Sequence, residues 1–394
     1  MKYALLIGDG MADWPIEALG NRTPLEYADT PNMDRIASMG TIGQVATVPP
    51  GMQPGSDVAN LALLGYDPRS YYNGRAPIEA ASLGVSLAEN ETAFRCNLVN
   101  IEDEKMVDYS AGHITTNEAH SIIYDLKKQC ATEKIKFFPG VSYRHLMVYT
   151  DFPEGAVTTP PHDISGKQVI SYLPQGEGAE LLGALMEQAR FVLGTSSVNR
   201  ERKEAGKLPV TDIWLWGQGK AISLPSMAQR FGLTGSVISA VDLVRGIGIL
   251  AGLHVCKVEG ATGYLGTNYA GKVDAACKAL EEQDLVYLHV EAPDETGHEG
   301  ILEKKILAIE EFDRNVVGEM LQFQSERGDL RILVSPDHAT PLSIRTHSAE
   351  AVPFILCGPG ISSDSGKSYS ENDSQGVAPI SGPELFDRFI KKTW

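Results

Sequence analysis

The sequence is poor in cysteine and contains no long hydrophobic run. Its five cysteines are scattered, odd in number and without CxxC spacing, which argues against a disulfide framework or a structural zinc site. Apolar runs stay below the roughly 18 residues of a membrane-spanning helix, and the one after Met1 is too short for a signal peptide. We therefore expect a cytoplasmic protein that is neither exported nor embedded in a membrane.

Basic residues are also in deficit. The chain has 34 Lys and Arg against 51 Asp and Glu, a net charge of −17. This balance excludes a broad basic surface for nucleic acid or anionic membranes, so neither is an expected partner. An anionic ligand would need a local cluster of arginine, lysine or metal. The sequence leaves the oligomeric state open.

The length of the chain and the order of its predicted strands and helices indicate two domains. With 394 residues it exceeds the roughly 250–300 at which a single core stops growing. Near both ends, strands alternate with helices, which predicts a mostly parallel sheet and an α/β fold. The middle lacks the Asp–His strand ends found elsewhere and favours a separate α+β domain. We predict a discontinuous domain over 1–83 and 221–394, interrupted by an inserted domain over 84–220.

Several details of the coarse pattern are specific enough to test. Thr30 is expected to cap a helix that begins at Pro31 and ends at Gly40. One amphipathic helix is predicted from Ile301 to about Phe323, and Val352–Leu356 is predicted as the final strand. The stretch 362–375 is rich in Ser, Asp and Gly, which is typical of a mobile surface loop without a further role.

Carboxylates and imidazoles follow apolar, β-branched runs at three places. Asp9 comes after Tyr3–Gly8, and two further motifs follow the runs 284–290 and 330–334. Because parallel strands deliver their carboxyl ends to one edge of a sheet, we expect these groups to meet there. Oxygen and nitrogen ligands of this kind suit divalent metals, so we predict a binuclear site. The predicted donors in this ensemble are Asp9, Asp294, His298, Asp337, His338 and His347.

Each donor taken alone has a simpler interpretation. Asp9 is compatible with a turn, and His347 is the kind of lone histidine that usually has a structural role. Asp294 and His298 stand four residues apart, which brings both to one helix face, but a surface pair has the same spacing. The metal prediction therefore depends on the ensemble.

A loop rich in Pro and Gly, 49–57, leads into a helical pattern over 58–64 and places Ser56 at a helix N-terminus. Free backbone N–H groups and the helix dipole favour an anion at that position. A plain N-cap explains Ser56 locally. The alternative is a nucleophile that carries a phosphoryl group, which needs a nearby metal to lower the pKa of the hydroxyl.

The predicted inserted domain supplies isolated cations beside loop signals. Each one alone is typical of a solvated surface charge, but the placement raises the chance that some converge on an anion. The residues we predict to bind substrate are Arg95, Arg144, Arg200, Lys220 and His113.

Specific motifs covering nearly the whole chain resemble a known family, the archaeal-type cofactor-independent phosphoglycerate mutases of the alkaline phosphatase superfamily. The resemblance rests on Asp9 together with Thr23-Pro24-Leu25, Thr30-Pro31-Asn32-Met33-Asp34, Pro54-Gly55-Ser56-Asp57-Val58-Ala59, Leu64-Gly65-Tyr66-Asp67-Pro68, Gly74-Arg75, Glu79-Ala80, Ala292-Pro293-Asp294-Glu295-Thr296-Gly297-His298, Ser335-Pro336-Asp337-His338 and Thr346-His347-Ser348.

This resemblance implies an alkaline-phosphatase-like sandwich and a glycolytic isomerase. One metal would be held by Asp294, His298 and His347, and the other by Asp9, Ser56, Asp337 and His338. Manganese, magnesium or zinc would fit this ligand set. Ser56 would take the phosphoryl group of a small anionic substrate and return it to a neighbouring hydroxyl, interconverting 3-phosphoglycerate and 2-phosphoglycerate.

Other activities remain open because the substrate arginines of better-studied mutases do not map position by position. Bacterial relatives with similar motifs have been proposed as homoserine kinases, although no P-loop is present here. A metal-dependent phosphatase or phosphodiesterase would let water attack the phosphoserine. A sulfatase is disfavoured because no Cys/Ser-x-Pro-x-Arg pattern surrounds Ser56. A metal-stabilised binding protein without turnover is the remaining alternative from another class.

Overall fold

The structure is a computed structural model that describes residues 1–363, 367–376 and 378–391. It divides into two compact units, Met1–Tyr72 with Ser223–Trp394, called the main unit here, and Asn73–Ile222, called the inserted unit. The sequence predicted the insertion over 84–220. Within the described ranges, no helix is both long and apolar enough to cross a membrane.

The strands, in chain order, are β1 (Lys2–Gly8), β2 (Thr41–Ala46), β3 (Glu91–Glu102), β4 (Lys105–Asp108), β5 (Ile135–Phe138), β6 (Arg144–Thr150), β7 (Asp212–Lys220), β8 (Gly235–Ile238), β9 (His254–Val255), β10 (Leu285–Val290), β11 (Leu330–Ser335), β12 (Val352–Cys357) and β13 (Ile380–Ser381).

The α-helices are α1 (Pro24–Tyr27), α2 (Pro31–Met39), α3 (Ser56–Leu63), α4 (Pro68–Tyr71), α5 (Arg75–Ser82), α6 (Thr116–Cys130), α7 (Ala179–Gly194), α8 (Ser197–Glu204), α9 (Met227–Phe231), α10 (Asp242–Leu250), α11 (Tyr269–Glu282), α12 (Ala292–Glu299), α13 (Leu302–Phe312), α14 (Gly318–Arg327) and α15 (Gly382–Lys391). Single turns of 3₁₀-helix lie at Glu17–Leu19, Pro161–Ile164 and Val169–Tyr172.

The main unit is built on an eight-stranded sheet in the order β13-β2-β12-β11-β1-β10-β8-β9. The strands β11, β1, β10, β8 and β9 run parallel, whereas β12 pairs antiparallel with both β11 and β2. The three central strands are almost completely buried on both faces, which explains why they read as continuous apolar runs. The predicted α/β class with a mostly parallel sheet is confirmed.

The register of the central strands determines where their ends fall. Gly8 of β1 pairs with Val290 of β10, and Ile7 pairs with Ser335 of β11. The residues that follow these three strands therefore leave the same edge of the sheet. This is the edge at which the sequence predicted the metal ligands.

The inserted unit contains an antiparallel five-stranded sheet around the long strand β3, which pairs with β4, β6 and β7. A second apolar core, separate in sequence from that of the main unit, includes Phe94, Phe137 and Trp214 from the sheet with Leu126 from α6 and Leu185 from α7. The predicted mixture of helices and antiparallel strands is present.

Three local predictions need correction. Thr30 occupies the N-cap of α2, but its side chain makes no capping hydrogen bond. The predicted helix 301–323 continues to Arg327 through a π-helical turn at Asp313–Val317, between α13 and α14. The strand at 352–356 is not the last, because the short β13 follows it.

The segment 362–375 is more than a surface loop. Tyr369 is 1% exposed, and its hydroxyl donates to Pro353 O at 2.9 Å. Glu371 accepts a hydrogen bond from Thr23 Oγ1 at 2.6 Å. The interpretation as a mobile surface loop is therefore wrong for residues 367–375, and residues 364–366 of the predicted loop lie outside the described ranges.

Candidate active site

Two buried aspartates follow neighbouring strands at the carboxyl edge of the main sheet. Asp9 follows β1 and is 2% exposed, whereas Asp337 follows β11 and is fully buried. Asp337 Oδ1 accepts hydrogen bonds from Gly10 N at 3.1 Å and from His338 N at 2.9 Å. His338 Nε2 lies 3.5 Å from Asp9 Oδ1 and 3.6 Å from Asp337 Oδ2, so both carboxylates face one imidazole nitrogen.

Gly10 allows these groups to approach one another. Its φ of +59° is in the left-handed region, and a Cβ atom at this position would lie 2.6 Å from Asp294 Oδ1. Any other residue would therefore be strained and would collide with a predicted ligand. This explains the glycine directly after Asp9.

A second group lies on α12 and in the loop after β11. Asp294 Oδ2 is 3.2 Å from His298 Nε2 one helical turn later, and Asp294 Oδ1 is 3.5 Å from His347 Nε2. The two imidazole Nε2 atoms are 3.0 Å apart. His298 Nδ1 lies 2.9 Å from Arg345 O, and donation to this carbonyl leaves Nε2 free to bind a metal.

Ser56 is the first residue of α3, with Gly55 at the N-cap. The plain N-cap interpretation is therefore wrong. Ser56 Oγ lies 3.1 Å from His338 Nε2. One turn later, the Asn60 side chain donates to Ser56 O at 2.8 Å and to Asp337 Oδ2 at 2.7 Å, and its carbonyl accepts from the hydroxyl of Tyr287. Asn60 thus ties the nucleophile candidate to a predicted ligand.

Burial and mutual repulsion perturb these groups strongly. Burial, together with the charges of Asp337 and Asp294, raises the pKa of Asp9 well above its usual value. Burial also acts to raise the pKa of Asp294, but hydrogen bonds from His298 and His347 hold it well below its usual range. For His298, burial acts to lower the pKa, and Asp294 overcomes this effect and raises it to about 9. Attraction between Asp294 and the two imidazoles therefore opposes the repulsion among the buried carboxylates.

The chemistry of the donors fits divalent metal ions. Three sets of side chains bring their ligand atoms within 4.8 Å of one another: Asp294 with His298 and His347, Asp9 with Asp294 and His338, and Asp9 with His289 and Asp337. Asp9 Oδ1 is buried and accepts no hydrogen bond. A buried carboxylate oxygen without a donor is costly unless a cation compensates it. The main unit therefore carries candidate metal-binding groups.

The structure brings all seven predicted ligands, including Ser56, into this one cluster, and it adds two residues that the sequence analysis missed. Asn60 is a polar residue within the apolar stretch 58–63 of α3 and stands four residues after Ser56, a spacing that places both on one face. His289 interrupts the apolar run of β10 and is fully buried. A polar residue in a buried run is the signal that would have identified both.

Three of the predicted substrate-binding residues lie beside one series of aromatic rings in the inserted unit. Arg95 is 4% exposed, pairs with Glu79 Oε2 at 2.9 Å and has its guanidinium 4.2 Å from the centre of the Trp216 ring. Arg144 lies over Tyr143 at 4.6 Å, and His113 contacts the same ring edge-on with centroids 6.4 Å apart. The series runs Trp216, His162, Tyr109, Tyr143, His113.

The two other predicted substrate-binding residues have ordinary surroundings. Arg200 is exposed on α8. Lys220, at the end of β7, is half-buried and pairs with the exposed Glu154 through Oε1 at 2.5 Å. The role of all five residues in substrate binding stays a prediction.

A mixed α/β sheet that presents buried carboxylates, imidazoles and a helix-terminal serine at its carboxyl edge is an architecture suited to metal-assisted phosphoryl transfer. A family model described as 2,3-bisphosphoglycerate-independent phosphoglycerate mutase matches residues 37–199. The chain is 53% identical over 399 residues to a probable mutase of this kind from Geobacter sulfurreducens, covering all of both chains. It is 53% identical over 393 residues to the mutase of Methanothrix thermoacetophila, covering 99% of this chain and 100% of that one.

Solved structures agree with these relatives. A protein of Pyrococcus horikoshii superposes with a TM-score of 0.82 at 28% identity, over 100% of this chain and 98% of that one. The cofactor-independent phosphoglycerate mutase of Thermoplasma acidophilum superposes with a TM-score of 0.66 at 26% identity, over the whole of both chains. The chain belongs to the 2,3-bisphosphoglycerate-independent phosphoglycerate mutase family, as the motif resemblance indicated.

Proposed function

We propose that this protein is a metal-dependent phosphoglycerate mutase that interconverts 3-phosphoglycerate and 2-phosphoglycerate through a phosphoserine at Ser56. The observation that carries the proposal is the position of Ser56 Oγ, 3.1 Å from His338 Nε2 at the first turn of α3. The hydroxyl nucleophile therefore lies at the N-terminus of a helix and beside a cluster of candidate metal-ligand side chains. The names of the relatives supply the substrate.

In the first step Ser56 Oγ attacks the phosphorus atom, loses its proton and forms a new P–O bond. The bond from phosphorus to the glycerate oxygen breaks, and that oxygen leaves as a hydroxyl after it takes up a proton. In the second step the other glycerate hydroxyl loses its proton and attacks the phosphorus atom of the phosphoserine. The P–O bond to Ser56 breaks, and Ser56 Oγ takes up a proton to restore its hydroxyl. The phosphoryl group is transferred within one bound molecule, so no second substrate is consumed.

The chain's own residues position these steps. Backbone N–H groups at the start of α3 favour the negative phosphoryl oxygens. Asn60 holds the backbone of Ser56 and the carboxylate of Asp337 in a fixed relation. For the substrate's carboxylate and phosphate, we propose a set of binding residues from the inserted unit: Arg95, Arg144, Arg200, Lys220 and His113.

Two divalent ions complete the proposal. Asp294, His298 and His347 would hold one, and Asp9, Ser56, Asp337 and His338 the other, with manganese, magnesium or zinc as candidates. When bound, such ions lower the pKa of the serine hydroxyl and neutralise phosphoryl oxygens. We also propose the cytoplasm as the compartment, based on the cysteine usage, and glycolysis as the setting.

The experiment is a mutase assay with manganese and 3-phosphoglycerate on wild type, Ser56→Ala and the control Ser38→Ala, which alters an exposed serine on α2. Ser56→Ala should abolish transfer while the fold and most of the bound metal are retained, and Ser38→Ala should behave as wild type. Full mutase activity in Ser56→Ala would overturn the covalent mechanism.

Parallel assays separate the competing activities. Incubation with ATP and homoserine tests a kinase, and release of inorganic phosphate from 3-phosphoglycerate tests a phosphatase. The proposal expects 2-phosphoglycerate as the main product. Phosphohomoserine as the main product would replace the mutase proposal with a kinase. Phosphate release that exceeds isomerisation would replace it with a phosphatase.

A further inference from the structure

His289 is a fully buried histidine at the carboxyl end of β10, and the motif-derived ligand sets do not include it. It pairs with Ile7 of β1 in the parallel ladder, which places it two residues before Asp9 on the adjacent strand. Its Nε2 atom lies 3.1 Å from Asp9 Oδ2. The imidazole therefore reaches the predicted metal cluster from the strand beside Asp9.

The contact between His289 and Asp9 does not have the alignment of a hydrogen bond. His289 Nε2 is buried and has no hydrogen-bond partner, and Asp9 Oδ1 is in the same condition. Two ligand atoms that share one ion at about 2.0–2.2 Å each lie about 3–3.5 Å apart, which is the separation observed. Such pairs are directed at a common point rather than at each other.

The other ring nitrogen has the environment of a ligand histidine. His289 Nδ1 lies 3.4 Å from Ser239 Oγ, which itself accepts from Val241 N at 3.0 Å. Metal-bound histidines commonly donate their second ring N–H to an oxygen, and this bond fixes the ring and the tautomer. The ligand atoms of His289, Asp9 and Asp337 all lie within 4.8 Å of one another.

We propose that His289 Nε2 is a further ligand of the metal ion held by Asp9 and Asp337. The inference rests on the proposed two-metal function and deepens it, because it raises the number of histidine ligands from three to four. It adds a neutral donor rather than another carboxylate. Lys272 Nζ donates to the backbone carbonyl of His289 at 3.0 Å, and this hydrogen bond from a charged group fixes the end of β10.

Cobalt-substituted protein provides the test. A histidine bound to cobalt(II) through one ring nitrogen gives a strongly shifted proton resonance from its other ring N–H, whereas a histidine that only donates a hydrogen bond does not. We compare wild type with His289→Gln, which keeps a side-chain N–H donor but loses the imidazole. His254→Gln, which alters an exposed histidine on β9, is the matched control.

We expect four shifted ring N–H resonances in the wild type and in His254→Gln, and one fewer in His289→Gln. Removal of a ligand should also weaken the binding of one cobalt ion by about tenfold or more. Three shifted resonances in the wild type, or the same set in His289→Gln, would overturn the assignment. The wild-type count decides the question even if His289→Gln does not fold.

The result also separates this inference from the proposed function. Two bound cobalt ions with only three shifted resonances would remove His289 and leave the two-metal enzyme intact. No bound cobalt would overturn both. Mutase activity is not used as a readout, so a different substrate would not alter the conclusion.

Discussion

Asn60 illustrates how single residues hold the site together. It is fully buried and contacts Ser56 O, Asp337 Oδ2 and the Tyr287 hydroxyl. Replacing it with leucine preserves the size but leaves a buried carboxylate oxygen and a buried hydroxyl without their partner. A buried polar group without a partner costs about 1–3 kcal/mol, and more when it is charged.

We expect Asn60→Leu to lower the free energy of unfolding by about 2–3 kcal/mol and to reduce phosphoryl transfer, because Ser56 loses its tie to Asp337. Urea unfolding and the mutase assay measure the two effects. Tyr287→Phe is the control, since it removes only one hydroxyl and leaves the carboxylate satisfied. Equal effects of the two substitutions would contradict the role assigned to Asn60.

The carboxyl group of Glu371 should make the free energy of unfolding depend on pH. Burial raises its pKa to about 7, although hydrogen bonds from Thr23 and from Asp13 N oppose the shift. An unfolded chain loses the same proton near pH 4.5. Between these values the folded protein binds more protons than the unfolded one, so the free energy of unfolding falls as pH rises through the window.

In Glu371→Gln this contribution to the pH dependence should vanish. The neutral amide retains an acceptor for Asp13 N, so the variant should gain about 1–2 kcal/mol over wild type at pH 8, allowing for partial exposure of the site. At pH 4 the two proteins should be equally stable. Thermal unfolding followed from pH 4 to 8 measures the difference, and parallel curves for the two proteins would refute the prediction.

At the scale of elements, the π-helical turn between α13 and α14 supplies the cap of another helix. Asp313 Oδ1 accepts from Met33 N at 2.7 Å, and Asp313 Oδ2 accepts from Asn32 N at 3.2 Å. These are backbone donors in the first turn of α2, which Thr30 leaves unsatisfied. The cap thus comes from a residue distant in sequence.

Asp313→Ala should therefore lower the free energy of unfolding by about 1–2 kcal/mol, the range for loss of a helix cap. Thr30→Ala, at the residue that local sequence would select as the cap, should change it by less than about 0.5 kcal/mol. Chemical denaturation of the two variants gives both values. A larger effect at Thr30 than at Asp313 would show that the local cap is the one that operates in solution.

The contrast between Thr30 and Asp313 also shows which features of the structure can be predicted from the sequence. The three central strands of the main sheet, the helix at Ser56 and the ligand cluster were predictable because each depends on a local pattern, and parallel strands must deliver their ends to one edge. The partner of the α2 N-terminus, the buried side chains of 367–376 and the contact of His289 with Asp9 depend on residues far apart in the chain. No local pattern specifies such partners.

At the scale of the whole molecule, bound metal should control stability. Asp9, Asp294 and Asp337 are buried in one cluster, and without cations their charges repel one another. An ion that binds only the folded chain stabilises it by about 2.7 kcal/mol at a concentration of one hundred times its dissociation constant. We expect chelation to lower the melting temperature by several degrees and manganese to restore it.

Thermal unfolding with chelator, and then across a manganese titration, measures this effect. Ser56→Ala should retain most of the shift because the other predicted ligands remain. Asp294→Asn should lose much of it. A melting temperature independent of manganese in the wild type would show that the cluster holds no ion under these conditions.

The position of β1 in the main sheet has a consequence for synthesis. β1 ends at Gly8, whereas its two neighbours in the sheet are β10 and β11, and β11 ends only at Ser335. At about 5–20 residues per second, the strand waits roughly 15–65 s for both partners. The inserted unit, which ends at Ile222, is translated in full well before that. An apolar strand without partners for this long is a natural substrate for chaperones that bind nascent chains.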